Sequence, residues 1–218
     1  MEPILRTTIK DLVTEQIRHA IYTGVFQPRE ELRQIQLSER LGVSRSPIRE
    51  ALLILENAGL VEINKNNRAI VKEITAESVT EQLEIRILLE CQAAVKACQK
   101  AESFSPLMEI QQQIELCLAR ADPEEFRLLN NSFHFKLWDL AESPRLARIL
   151  GQLWFSIPSV YPVDPEANIH RNISEHRAIL DALAIRDENG VKQAVAYHIH
   201  KTESTVLDLL PPVIKETK

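Results

Sequence analysis

The sequence predicts a mainly α protein in two parts: an N-terminal winged helix-turn-helix and a C-terminal antiparallel all-α helical bundle. Three observations lead there. Residues Leu37 to Leu60 read LSERLGVSRSPIREALLILENAGL, two short apolar helical stripes separated by a tight-turn glycine. Two brief alternating runs around a polar tip follow. Beyond residue 74 strand-like alternation is absent, and of the five glycines only Gly151 and Gly190 remain.

The first element is an amphipathic helix carrying Ile9, Leu12, Val13, Ile17 and Ile21, mostly at 3/4 spacing. It ends near Gly24, and Val25-Phe26-Gln27-Pro28 turns the chain out of it. Leu37 and Leu41, four apart, give the second helix its apolar stripe. Gly42 supplies the positive φ that a tight turn demands. Ser44 is a good N-cap for the third helix, and Pro47 is tolerated in its first turn, where backbone N–H groups lack intrahelical partners. Ile48, Leu52 and Leu55 define the face to be buried, and Arg45 and Arg49 share another. A stop at Gly59 leads into Leu60-Val61-Glu62-Ile63 and Ala69-Ile70-Val71, a hairpin whose tip is Asn64-Lys65-Asn66-Asn67-Arg68.

A third helix that is polar and cationic at its start and apolar along its body has the asymmetry of a DNA recognition helix. Arginine can grip phosphate or pair bidentately with guanine in the major groove. The plainer alternative is a helical hairpin whose arginines are merely solvated. Here the chain resembles a known family. Gly24-Val25-Phe26-Gln27-Pro28, Leu32, Leu41 to Leu52 and Glu56-Asn57-Ala58-Gly59-Leu60-Val61 look like the N-terminal domain of GntR-family bacterial transcription regulators. The resemblance implies DNA contacts from Arg45, Ser46 and Arg49, with Ser44 and Arg68 beside them. Two positions depart from the family pattern: Arg29 stands where a glycine usually follows Pro28, and Asn67-Arg68 occupies a wing tip where glycine is common.

Composition is that of a globular chain: 218 residues, 44% hydrophobic and 26% charged, with a net charge of −5. That charge is unevenly divided. Residues 1–74 hold 11 Lys and Arg against 10 Asp and Glu, and the remainder 15 against 21. DNA contact is therefore expected through a few placed arginines, with a shallow salt dependence. No apolar run is long enough to span a membrane, and the start of the chain lacks the apolar core of a signal peptide, so a cytoplasmic protein is expected. Of the three cysteines, Cys91 and Cys98 lie about 10 Å apart along a helix, too far to bridge, and read as buried apolar residues.

The expected boundary lies between residues 74 and 75. Helices are expected near 76–101, 104–120, 123–141, 144–157, 166–187 and 189–209. Ser105-Pro106, Asp122-Pro123 and Ser143-Pro144 each pair an N-cap with proline at a helix start. Short connections favour antiparallel neighbours. Three of the six histidines carry the chemistry. His176 lies on a stripe with Ile173, Ile179, Leu180 and Leu183, and His198 on one with Val191, Val195, Thr202 and Val206. His134 flanks Phe126, Leu129, Phe133, Leu137 and Leu140, with Asn130 four residues before it. Each could be a hydrogen-bonded core residue. Three neutral imidazoles meeting inside one bundle would suit a divalent transition metal such as Zn or Ni.

Phe133-His134, Glu175 to Ala182 and Asp187 to His198 resemble the FCD effector domain of the fatty-acid-regulator (FadR) subfamily within GntR. In that domain three histidines and an aspartate hold a divalent metal at the floor of a ligand cavity. The resemblance places His134, His176 and His198 in those roles and puts Asn130 where the family has Asp. An amide oxygen can ligate but carries no charge, so weaker metal binding is expected. Arg86-Ile87-Leu88-Leu89-Glu90 resembles the family's R-x-x-L-E, whose arginine faces the cavity; Asn172 is expected to line it too. The alternative for Arg86 and Glu90 is a surface salt bridge. The resemblance implies a homodimeric regulator, a repressor in the commonest case, that binds a palindromic double-stranded DNA operator and answers to a small organic-acid effector. The rivals are a metal-dependent hydrolase and a regulator with a metal-free effector site. Against the hydrolase stands the expectation that no carboxylate lies beside the histidine cluster.

Overall fold

A computed structural model of the chain describes residues 8–118, 122–154 and 165–209. Its elements in chain order are α1 (Ile9–Tyr22), β1 (Glu31–Leu32), α2 (Gln34–Leu41), α3 (Arg45–Asn57), β2 (Val61–Ile63), β3 (Ala69–Val71), α4 (Ala76–Lys100), α5 (Ser105–Leu118), α6 (Pro123–Leu140), α7 (Pro144–Trp154), α8 (Pro165–Ala184) and α9 (Glu188–Leu209). The chain divides into two compact units, and the boundary at Val79/Thr80 falls in the first turn of α4.

In the first unit α1 opens with a capping box, in which Asp11 N–H donates to Thr8 Oγ1 and Thr8 N–H to Asp11 Oδ2. Val13, Ile17 and Ile21 are buried on its inner face, which packs on α3. Ile9 and Leu12, expected on that stripe, are 60% and 44% exposed. The buried stripe is instead two adjacent i, i+4, i+8 rows, Val13/Ile17/Ile21 and Thr14/Arg18/Tyr22. Gly42 sits at φ 66 and closes α2, and Ile48, Leu52 and Leu55 of α3 are almost wholly buried. Ser44 occupies the N-cap position of α3, although its side chain makes no capping hydrogen bond.

The wing is a three-stranded antiparallel sheet in the order β1-β3-β2. Glu31 faces Ile70 and Leu32 faces Ala69, while Val61, Glu62 and Ile63 face Val71, Ile70 and Ala69. The sequence pattern supplied the hairpin but not β1, because two residues carry no alternation to read. Glu56 Oε1 accepts the Ile63 N–H at 3.0 Å and ties the end of α3 to β2.

The second unit is all helical among its described residues. The helices lie where the proline-led breaks put them, apart from their ends. The ends expected at 120 and 157 lie outside the described residues; among the described ends the largest difference is that of α8, expected at 187 and found at Ala184. Neither glycine nor proline marks that stop. Arg186 adopts φ 55, and its guanidinium donates to Cys98 O at 2.5 Å and Ala101 O at 2.6 Å, capping the C-terminus of α4. Asp187 then caps α9 through Gly190 N–H at 2.9 Å. All three cysteines are free and buried. No described helix is long and apolar enough to cross a membrane.

Candidate functional site

The N-terminal turn of α3 carries Arg45 and Ser46, with Ser44 at the cap and Arg49 one turn on; all four are exposed. The buried row of Ile48, Leu52 and Leu55 fixes this orientation, and the arginines lie on the exposed flank beside it. Neither Arg45 nor Arg49 makes an ion pair among the described residues, so both guanidiniums are available to a polyanion. Ser46 Oγ lies 3.3 Å from Glu50 Oε1. Arg68, at the exposed base of the wing tip, lies 3.7 Å from Glu31 of β1, which is also 3.7 Å from Arg33. The tip itself is braced by Asn64, whose Oδ1 accepts N–H groups from Asn66 and Arg68. This lets Asn67 sit at φ 56.

Inside the helical unit, α6, α8 and α9 bring His134, His176 and His198 together. Their ligand nitrogens all lie within 4.8 Å of one another, and all three side chains are buried. His134 Nε2 and His198 Nε2 are 3.1 Å apart. The His176 ring stacks on Phe133 at 3.9 Å between centroids and 5° between planes, which fixes its orientation. Both His176 nitrogens and Asn130 Oδ1 are buried with no hydrogen-bond partner.

These facts decide whether the residues fit a metal. Buried polar atoms without partners are costly, and both nitrogens of His176 are such atoms inside the cluster. Two ligands about 2.1 Å from one ion, at tetrahedral or octahedral angles, lie roughly 3.0–3.4 Å apart. The 3.1 Å separation of the two Nε2 atoms falls in that range. Burial holds His134 down at about 4, against a partial upward pull from Glu90, and lowers His176 well below its ordinary value. Both rings are therefore neutral near pH 7, the form that ligates metal. The donor set fits a divalent transition ion.

Two carboxylates stand directly behind this cluster, contrary to the expectation that none would. Glu90, fully buried on α4, accepts from His134 Nδ1 at 3.0 Å and Trp138 Nε1 at 3.2 Å on one oxygen, and from Arg86 Nε on the other. Burial alone would raise Glu90, but Arg86 and His134 outweigh it and hold it at about 2. Glu175 Oε2 lies 2.7 Å from His198 Nδ1, and its Oε1 is 3.5 Å from Arg171 Nε. Both carboxylates meet the outer nitrogens of the imidazoles, not the space between the rings.

The Arg86–Glu90 pair is thus no surface salt bridge: Arg86 is 5% exposed and Glu90 is 0% exposed. Asn172, expected to line the cavity, is buried, and its amide donates to Asn168 of its own helix. Sequence reasoning missed Glu175 and Arg171. The signal was present, because Arg86/Glu90 and Arg171/Glu175 repeat one i, i+4 arrangement.

A three-helix module with an exposed cationic recognition helix and a wing, joined to a helical unit with a buried histidine cluster, defines a DNA-binding transcription regulator. Residues 9–71 match the model for bacterial regulatory proteins of the gntR family, and residues 81–201 match the FCD domain. The chain belongs to the GntR family of transcription regulators, with an FCD domain as its C-terminal part. It is 31% identical over 194 residues to the uncharacterized HTH-type transcriptional regulator YdhC of Bacillus subtilis strain 168, covering 85% of each chain. It is 26% identical over 231 residues to the HTH-type transcriptional repressor NanR of Cronobacter sakazakii, covering 93% of this chain and 87% of that one. The solved structure of E. coli McbR/YncC shares the fold, with a TM-score of 0.71 at 22% identity over 93% of this chain and 99% of that one. The family consists of regulators, so the protein is not an enzyme, and the hydrolase reading is set aside.

Proposed function

We propose that the protein is a cytoplasmic, homodimeric repressor whose grip on a palindromic operator is controlled by a small organic acid bound in the FCD domain beside a divalent metal, Zn or Ni. Residues 1–74 read DNA, and residues 75–218 bind the effector and dimerise. Arg45, Ser46, Arg49 and Ser44 contact the major groove and its phosphates, and Arg68 contacts the backbone beside the wing. His134, His176 and His198 hold the metal with Asn130 as a neutral fourth donor. The ion supplies a positive centre with open coordination positions for a carboxylate. Arg86 and Asn172 line the same cavity. Effector binding shifts the population between DNA-competent and DNA-incompetent arrangements.

The observation that carries this reading is the meeting of three buried imidazoles, among which both His176 nitrogens have no hydrogen-bond partner, with Asn130 Oδ1 also buried and unpartnered one turn before His134. Repression is supported by the 26% identical NanR, which is named a repressor. The test begins with untagged protein and metal analysis by mass spectrometry. About one ion per chain is expected in the wild type, and a large loss in His176→Ala. Equal, negligible metal in both overturns the metal centre. A thermal-shift screen of small carboxylates then tests the effector, with every hit weakened in Arg86→Ala. Hits untouched by that change remove Arg86 from the site.

A further inference from the structure

Two chains of side chains run into the histidine cluster from different helices. One is Arg86–Glu90–His134, from α4 to α6. The other is Arg171–Glu175–His198, from α8 to α9. In each, the arginine and glutamate are four residues apart on one helix, and the glutamate meets Nδ1 of a histidine on another. We propose that Glu90 and Glu175 are paired positioning residues that lock His134 and His198 as Nδ1–H tautomers and so aim both Nε2 lone pairs at one cation.

The chemistry of the donors forces the tautomer. Glu90 receives Arg86 Nε on one oxygen and Trp138 Nε1 on the other, and neither donor has a lone pair to offer in return. An ionised Glu90 is an acceptor only, so the His134 Nδ1 at 3.0 Å must carry its hydrogen. Glu175 has no second hydrogen-bond donor on its other oxygen among the described residues, but its Oε2 stands 2.7 Å from His198 Nδ1, where a carboxylate can only accept, so that nitrogen donates as well. With each Nδ1–H given to a carboxylate, the lone pair that an imidazole offers a metal lies on Nε2, and the two Nε2 atoms stand 3.1 Å apart. Those lone pairs repel unless a positive charge lies between them. The two carboxylates therefore do more than orient rings: they make the gap unfavourable when empty and favourable when a cation fills it. Each glutamate is matched by its own arginine, so the relays add no net charge. His176 has no such carboxylate; Phe133 stacking alone sets its plane.

This inference rests on the proposed metal centre, and the test separates the two. Zn2+ is titrated into metal-stripped full-length protein by competition with a chromogenic chelator. The variants are Glu90→Gln and Glu175→Gln, with Glu115→Gln, at the exposed Arg177 pair, as the control. Each relay variant is expected to weaken Zn2+ binding about 10- to 100-fold, and the control to leave it unchanged. Wild type that binds no Zn2+ overturns the metal centre itself. Wild type that binds, with both relay variants matching it, overturns the relay alone. Nitrogen-15 spectra of histidine-labelled, Zn2+-loaded wild type give an independent readout if either variant fails to fold. His134 and His198 should show protonated Nδ1 and metal-bound Nε2; ligation through Nδ1 of either ring sinks the proposal.

Discussion

Arg29 and Asn67 stand at positions where glycine is usual in the family, and both keep a glycine's backbone, at φ 70 and φ 56. The left-handed region costs a residue with a Cβ about 1–2 kcal/mol, and less for asparagine. Glycine avoids that cost but loses more chain entropy on folding. The difference predicts that Arg29→Gly stabilises the protein by about 0.5–1 kcal/mol, and that Asn67→Gly does much less. Chemical denaturation would measure it, and an unchanged or lower midpoint for Arg29→Gly contradicts the strain. The departures were visible in the sequence, but their conformation was not. Substitution of a glycine can mean a changed backbone or a strained one, and only φ separates the two. The histidines differ: spacing alone put His134, His176 and His198 on inward faces, whereas their carboxylate partners lie 23 and 44 residues away in sequence and needed the fold to reveal them.

Helices announced themselves through caps, prolines and 3/4 spacing, and the elements that escaped are those without such marks. β1 is two residues long, and α8 ends at Ala184, two residues before an arginine whose guanidinium reaches the α4 carbonyls 88 and 85 residues back. β1 matters beyond its length, since it holds Glu31 beside Arg68. An exposed pair of this kind adds little stability. It does place a negative charge next to a proposed phosphate contact. Glu31→Gln should therefore leave the melting temperature within a degree or two while raising affinity for both operator and random DNA, by a similar factor for each. Gel-shift or anisotropy titrations on the two DNAs would show it. A gain confined to the operator would mean that Glu31 influences base readout instead.

At the scale of the whole molecule, charge is segregated: near balance in residues 1–74 and an excess of acid beyond them. With three arginines per subunit on phosphate or base, the proposed dimer engages six at most. The slope of log K against log salt should then be no steeper than about −5. Arg45→Ala should flatten it by about 2 per dimer if that side chain touches phosphate, and leave it unchanged if it touches only bases. A markedly steeper wild-type slope would point to cationic surface not counted here. Trp138 is 3% exposed, donates its indole N–H to Glu90, and its ring lies 6.4 Å from that of His134. An intrinsic fluorophore is thus wired to the candidate ion through one shared carboxylate. Its emission should dim when an open-shell ion such as Ni2+ enters and stay bright with closed-shell Zn2+, so the protein carries its own optical gauge of which metal it holds.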